Sequence, residues 1–262
     1  VPTRHVRPNG RMLDSWPCLR MLPAMNPLPR RTFLRQSLVT AASTVALTGR
    51  GFAAPSETLR AAVIGVGNRG MQLVKEAVKV PGLTVTWLVD PDETRARQAT
   101  KIAPNAKVAQ DMRNALDDKD VDVVIIAACN HWHCLAAIWA CQAGKDVYVE
   151  KPLGHNLVEQ RRLIEIAEAT KRIVQVGTQQ RSDRVQDEIR SFLHDDKELG
   201  EIQYIHANHY FLREPVAKIP GTLKIPAAVD YDLWCGPAER RDLHRKELHY
   251  DWHWDWNTGN GE

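Results

Sequence analysis

The first residues able to do chemistry are three glycines. After a short apolar run, Leu59-Arg60-Ala61-Ala62-Val63-Ile64, the chain reads Gly65-Val66-Gly67-Asn68-Arg69-Gly70, and apolar residues then recur at helical spacing at Met71, Val74, Ala77 and Val78. This is G-x-G-x-x-G between a strand and a helix. Gly65 permits the tight turn, Gly67 lets the backbone approach a pyrophosphate, and Gly70 lets the helix pack on the strand while its first amides face the anion. The next apolar run, Val85 to Val89, ends at Asp90, 20 residues beyond Gly70, where an acid can hold ribose hydroxyls. Turn and acid together predict a dinucleotide site formed by Gly65, Gly67, Asn68, Arg69, Gly70 and Asp90. An acid repels a 2′-phosphate, so NAD(H) is favoured over NADP(H), although Arg95 and Arg97 keep the second open.

Such a site needs a scaffold, and the rest of the chain supplies one. Helical spacing near 92–101 is followed by a strand at Val121–Ala128, a helix near 132–143 and a strand at Asp146–Val149, then a helix near 157–170 and a strand at Ile173–Val176. This alternation predicts an α/β fold, a doubly wound parallel Rossmann sheet. Ligands of such sheets lie at the carboxyl ends of strands, where Asn130, His133, Glu150 and Lys151 fall. Pro152 keeps Lys151 out of helical geometry at that edge. Beside a dinucleotide, its ammonium could bond a substrate hydroxyl and stabilise the alkoxide that develops there, which makes Lys151 the catalytic candidate.

These residues resemble the Gfo/Idh/MocA oxidoreductase family. The matching runs are Ala62 to Gly70, Asp90, Cys129-Asn130-His131-Trp132-His133, Glu150-Lys151-Pro152, Val176 to Arg181, Leu199-Gly200-Glu201-Ile202 and Leu233-Trp234-Cys235-Gly236-Pro237. The resemblance implies an NAD(H)-dependent oxidoreductase acting on a sugar or polyol. Lys151 would be its catalytic lysine, Asn130, His133 and Glu150 would line the nicotinamide and ribose region, and Arg181 and Tyr210 would touch substrate. Some exported members of the family are NAD-dependent glycosidases, which the same lysine and cofactor would serve. The family continues into a Gly-x-x-x-His-x-x-Asp-like stretch, whereas this sequence stops at Gly259-Asn260-Gly261-Glu262. The resemblance therefore implies a fragment or an early stop, with residues 54–177 as the dinucleotide domain. Residues 178–262 would be an incomplete α/β domain with a large, mostly antiparallel open sheet, able to pair with a second copy in a full-length protein. A protein that binds NAD(H) without turnover is the third reading.

Composition narrows the partners. Of 262 residues, 44% are hydrophobic and 26% charged, which excludes a disordered chain. The net charge of +3 misleads, because residues 1–53 hold eight arginines, no lysine and the single acid Asp14, leaving 27 basic against 31 acidic side chains elsewhere. A mildly acidic body without a basic block gives no electrostatic basis for nucleic-acid binding. In the basic leader, Arg30-Arg31-Thr32-Phe33-Leu34 precedes an apolar run, Leu38 to Leu47, and small residues around Ala53. That order resembles a twin-arginine export signal spanning 25–53, cleaved near Ala53, and implies a periplasmic or otherwise exported protein that engages the export machinery. The apolar run is too short to span a bilayer, so no stable membrane insertion follows cleavage. Met25 is a natural start, with residues 1–24 upstream of it.

Two further segments invite a reading. Residues 201–211 alternate as a strand that separates His206 from His209, and Asp251 to Trp256, as a strand, would put three tryptophans on one face, for packing or an interface in preference to sugar stacking. No metal is expected. His131, His133 and Cys134 sit at a helix start without a fourth ligand, and the five cysteines form no C-x-x-C pair.

Overall fold

The computed structural model describes residues 58–208, 216 and 218–261. The twin-arginine segment and Tyr210 lie outside the described residues.

Six parallel strands form one sheet in the order β3-β2-β1-β4-β5-β6. They are β1 (Leu59–Ile64), β2 (Leu83–Val89), β3 (Lys107–Ala109), β4 (Val123–Ile126), β5 (Asp146–Glu150) and β6 (Val174–Gly177). The central strand β1 is apolar on both faces because helices cover both. Ala61 and Val63 face one layer with Val74, Leu88 and Ala96. Ala62 and Ile64 face the other, with Val124, Ile126, Val149, Trp132, Cys141 and Leu163. The helices of the Rossmann part are α1 (Asn68–Ala77), α2 (Glu93–Ala99), α3 (Arg113–Leu116), α4 (Asn130–Gln142) and α5 (Leu157–Thr170). Asp92 caps α2 by accepting from the Thr94 amide at 2.9 Å. Asn156 and Glu159 form a capping box on α5, which fixes its start where the sequence pattern puts it.

Two elements were missed, β3 and α3, at three and four residues too short to show a period. Larger differences follow β6. The antiparallel sheet expected after residue 177 has no strand among the described residues, which instead carry short helical pieces. These are a 3₁₀ turn (Gln179–Ser182), α6 (Arg184–Arg190) continued by a π-helical turn (Ser191–Asp195), α7 (Tyr231–Cys235), α8 (Leu248–Asp251) and a second 3₁₀ turn (Trp252–Trp254). Residues 201–208 alternate in sequence but pair with no strand among the described residues, leaving Tyr204 and Ile205 exposed. The tryptophan segment is likewise helical turns rather than a strand, because local groups satisfy its backbone. Asp251 accepts from the Glu247 amide at 2.9 Å, and the Thr258 hydroxyl donates to the Trp252 carbonyl at 2.9 Å. Trp252 joins a small apolar cluster around Val229, Trp234, Cys235 and Leu248, while Trp256 is exposed.

Candidate functional site

The glycine turn is required by contact as well as by pattern. Gly65 has φ +79°, and a Cβ there would stand 2.6 Å from the Ala128 nitrogen. A Cβ on Gly70 would collide with the Gly65 carbonyl, so Gly70 serves the packing of α1 on β1 and does not line the cleft described below. Gly67 caps α1 without a side-chain bond, and the first turn of α1 holds no acid. Its first amides are therefore open to an anion.

Asp90 is at the predicted place, but the protein already uses both its oxygens. The Val66 amide donates to Oδ2 and the Asp92 amide to Oδ1, each at 2.9 Å. Burial raises the carboxyl to about 6, against the pull of those two amides and of Arg95. Asp90 thus braces the glycine turn, and a ribose would have to share its oxygens.

Arg69 and Glu150 act on each other. Arg69 Nε and Nη2 both lie 2.7 Å from Glu150 Oε1, while the buried carboxylate also accepts from the Lys151 amide at 3.2 Å. This pair joins the start of α1 to the end of β5, leaving Lys151 exposed at the rim beyond it. His133 is nearly fully buried, with Nδ1 2.6 Å from the Pro152 carbonyl and Nε2 2.9 Å from that of Ala128. Burial lowers its pKa. His133 therefore ties the loops after β4 and β5 together, with both ring nitrogens facing protein carbonyls. The Asn130 amide donates to Asn260 Oδ1 at 2.8 Å, and Asn260 donates to the His155 carbonyl at 2.9 Å.

These groups border a cleft of about 970 Å³ at the carboxyl ends of the strands. Gly65, Gly67, Asn68, Arg69, Asp90, Asn130, His133, Glu150 and Lys151 form one wall, and His249, Tyr250, Trp252, His253 and Trp254 form the other. Arg181 is exposed and off this wall, whereas Gln179, at the start of the same 3₁₀ turn, lies on it. A smaller apolar pocket of about 310 Å³ adjoins the cleft, lined by Trp132, Leu135 and Trp139 from α4 and by Leu233, Gly236 and Pro237. Sequence reasoning missed the second wall. His249 Nε2 lies 2.9 Å from Asp92 Oδ2 across 157 positions, and His131 lies 3.1 Å from the carbonyls of both Thr258 and Trp234. No local signal marks such long-range partners. Among the described residues, no group of His, Cys, Asp and Glu could hold a metal ion.

Residues 59–178 match the family described as "Oxidoreductase family, NAD-binding Rossmann fold". Over these residues the chain is similar to the Gfo/Idh/MocA family. Its relatives include inositol 2-dehydrogenase of Salmonella typhimurium (strain LT2), 35% identical over 156 residues, which cover 58% of this chain and 46% of the relative. A glycosyl hydrolase family 109 protein of Saccharopolyspora erythraea is 33% identical over 175 residues, 56% of this chain and 38% of the relative. Among solved structures, myo-inositol 2-dehydrogenase of Lactobacillus plantarum matches with TM-score 0.53 at 25% identity, covering 55% of this chain and 43% of that one. An NAD-binding protein of Listeria innocua matches with TM-score 0.51 at 26% identity, covering 55% and 42%. The chain thus spans less than half the length of these relatives. The cleft fits the cofactor of that family: a turn that only glycines can make, open helix amides and an acid at the end of β2 line one wall.

Proposed function

We propose that this chain is an NAD(H)-dependent oxidoreductase acting on a hydroxyl or carbonyl of a sugar or polyol, with Lys151 as its catalytic residue. The observation that carries the reading is that Lys151 borders the same cleft as the Gly65–Gly67 turn, on a strand end anchored to α1 by the Arg69–Glu150 pair. A bound NAD would supply the hydride acceptor. Gly67 and the first amides of α1 would hold its phosphates, and Asn130 and Glu150 would border its nicotinamide half. As an amine, Lys151 would take the proton of the substrate hydroxyl as the carbon beneath it gives up hydride, and as an ammonium it would return that proton to the oxygen in the reverse direction. The aromatic groups on the facing wall would shield that oxygen from water.

The test is turnover with NAD over a panel of sugars and polyols, following NADH. Lys151→Ala is expected to lower kcat by about a hundredfold or more, with NADH affinity changed less than about threefold. Normal turnover in Lys151→Ala would overturn the assignment. The glycosidase reading draws on the family 109 relatives. It would release a leaving group with no net NADH and exchange a ring proton with solvent. A protein that only binds would take up NADH and turn nothing over.

We also propose export by the twin-arginine route, with the mature protein beginning near Ala54 and working in the periplasm. Replacing both Arg30 and Arg31 by lysine should leave uncleaved protein in the cytoplasm, and cleavage at the normal rate would count against export. Among the described residues, no helix is long and apolar enough to cross a membrane. Self-association through the second domain belongs to the same reading and is checked by sedimentation of the mature protein.

A further inference from the structure

Arg95, in the first turn of α2, turns its guanidinium back over the glycine loop. A Cβ built on Gly67 would stand 2.5 Å from Arg95 Nη1, and the only other atom it would approach within 4 Å is the central carbon of the same guanidinium. The bare face of Gly67, through which a phosphate would approach, is thus fronted by a cation. The arginine side chain is 27% exposed and lines the cleft. Its ion pair is loose, with Nε 3.9 Å from Asp92 Oδ2, beyond hydrogen-bond range. Asp92 is meanwhile engaged at close range by the Thr94 amide and His249, each at 2.9 Å. Among the described residues the Arg95 guanidinium makes no side-chain hydrogen bond, so its planar fork of donors borders the cleft with capacity to spare. That fork matches phosphate oxygens. Arg97 offers nothing comparable. It bonds Glu93 at 2.6 Å on the outer side of α2, is 72% exposed and does not line the cleft.

We propose that Arg95 is a phosphate-binding residue of the cleft, its guanidinium taking oxygens of a dinucleotide's diphosphate where the chain passes Gly67. The proposal rests on the dinucleotide reading of the cleft and adds a side-chain anchor to the backbone amides. A 2′-phosphate offers the same oxygens, and the position over Gly67 favours the diphosphate.

Calorimetric titration of wild type, Arg95→Gln and Arg95→Lys with ADP-ribose, ADP, 2′-AMP and adenosine tests it without turnover. The expected result is ADP and ADP-ribose affinity about tenfold or more weaker in Arg95→Gln. Adenosine affinity should be unchanged and Arg95→Lys intermediate, with thermal melts showing that both variants fold. Equal ADP affinity in wild type and Arg95→Gln would overturn the proposal, as would an equal loss for adenosine, which marks a role in shape alone. A loss confined to 2′-AMP would overturn the diphosphate assignment. Wild type that binds none of the four would overturn the dinucleotide reading as well, whereas ADP-ribose binding that survives Arg95→Gln would remove Arg95 alone.

Discussion

Asp90 is held where ionisation is costly, and this sets a sign for its effect on stability. With its pKa raised from 3.8 to about 6, the folded state holds a proton that the unfolded state has released, so stability falls as pH rises between those values. Asp90 alone accounts for about 3 kcal/mol across that window. Asn at 90 does not titrate. The stability advantage of wild type over Asp90→Asn, measured by urea denaturation, should therefore shrink by up to about 3 kcal/mol between roughly pH 4 and pH 7. A constant difference would mean that Asp90 titrates as an ordinary carboxyl. The Arg69–Glu150 pair gives a second prediction. Arg69→Met strands a buried carboxylate and should cost about 2 kcal/mol, between the values for surface and buried pairs. The double variant Arg69→Met/Glu150→Gln should recover part of that loss. Spacing alone placed Gly65, Gly67, Asp90 and Lys151 on the cleft, because each follows a strand by a fixed offset. It could not show that Asp90, Arg69 and His133 are largely occupied with protein partners, since Val66, Glu150 and Pro152 lie 24, 81 and 19 positions from them.

At the level of elements, the sequence was most readable where local chemistry and tertiary packing agree. Helix α5 runs from Leu157 to Thr170 as its pattern predicts, because Asn156 and Glu159 cap it. The Asp251–Trp256 stretch misled because alternation suggests a strand, while Asp251 and Thr258 bond the nearby backbone and hold it in turns. The contact between α4 and α7 shows the limit from the other side. Gly236 lies in the Gly-Pro pair that the resemblance singled out, yet nothing in the motif says that it presses on an indole 104 positions earlier. It has φ +51°, and a Cβ there would enter the Trp132 ring, whose Nε1 donates to the Leu233 and Trp234 carbonyls at 3.1 and 3.2 Å. Gly236→Ala should therefore destabilise the protein by about 2 kcal/mol or more, through strain and overpacking. A thermal melt checks this, and an unchanged midpoint would show that α7 can yield.

At the scale of the whole molecule, the parallel sheet carries one wall of the cleft and the last thirty or so residues of the chain the other. The second wall is fastened by a few bonds of long sequence separation: His249 to Asp92, Asn260 to Asn130, and the amides of Glu93 and Asp230 to the Ala228 and Pro91 carbonyls at 3.0 and 2.9 Å. His249→Ala should raise hydrogen exchange in residues 248–258 while the amides of β1 and β4 keep their protection. Equal protection in variant and wild type would show that the aromatic wall is held without that bond. The parallel half was readable because its strands other than β3 repeat one pattern. The second wall was not, since short turns with scattered partners leave no period. His131 gives these fastenings a further property. It is buried, burial lowers its pKa, and both its nitrogens face carbonyl oxygens, which can only accept. A neutral ring has a single proton to give, so at any instant one nitrogen points a lone pair at an oxygen 3.1 Å away. The two tautomers are rival fastenings, one drawing in Trp234 at the end of α7, the other Thr258 in the closing turn. The imidazole nitrogen shifts would read, in a single residue, which part of the second wall is gripped and which is released.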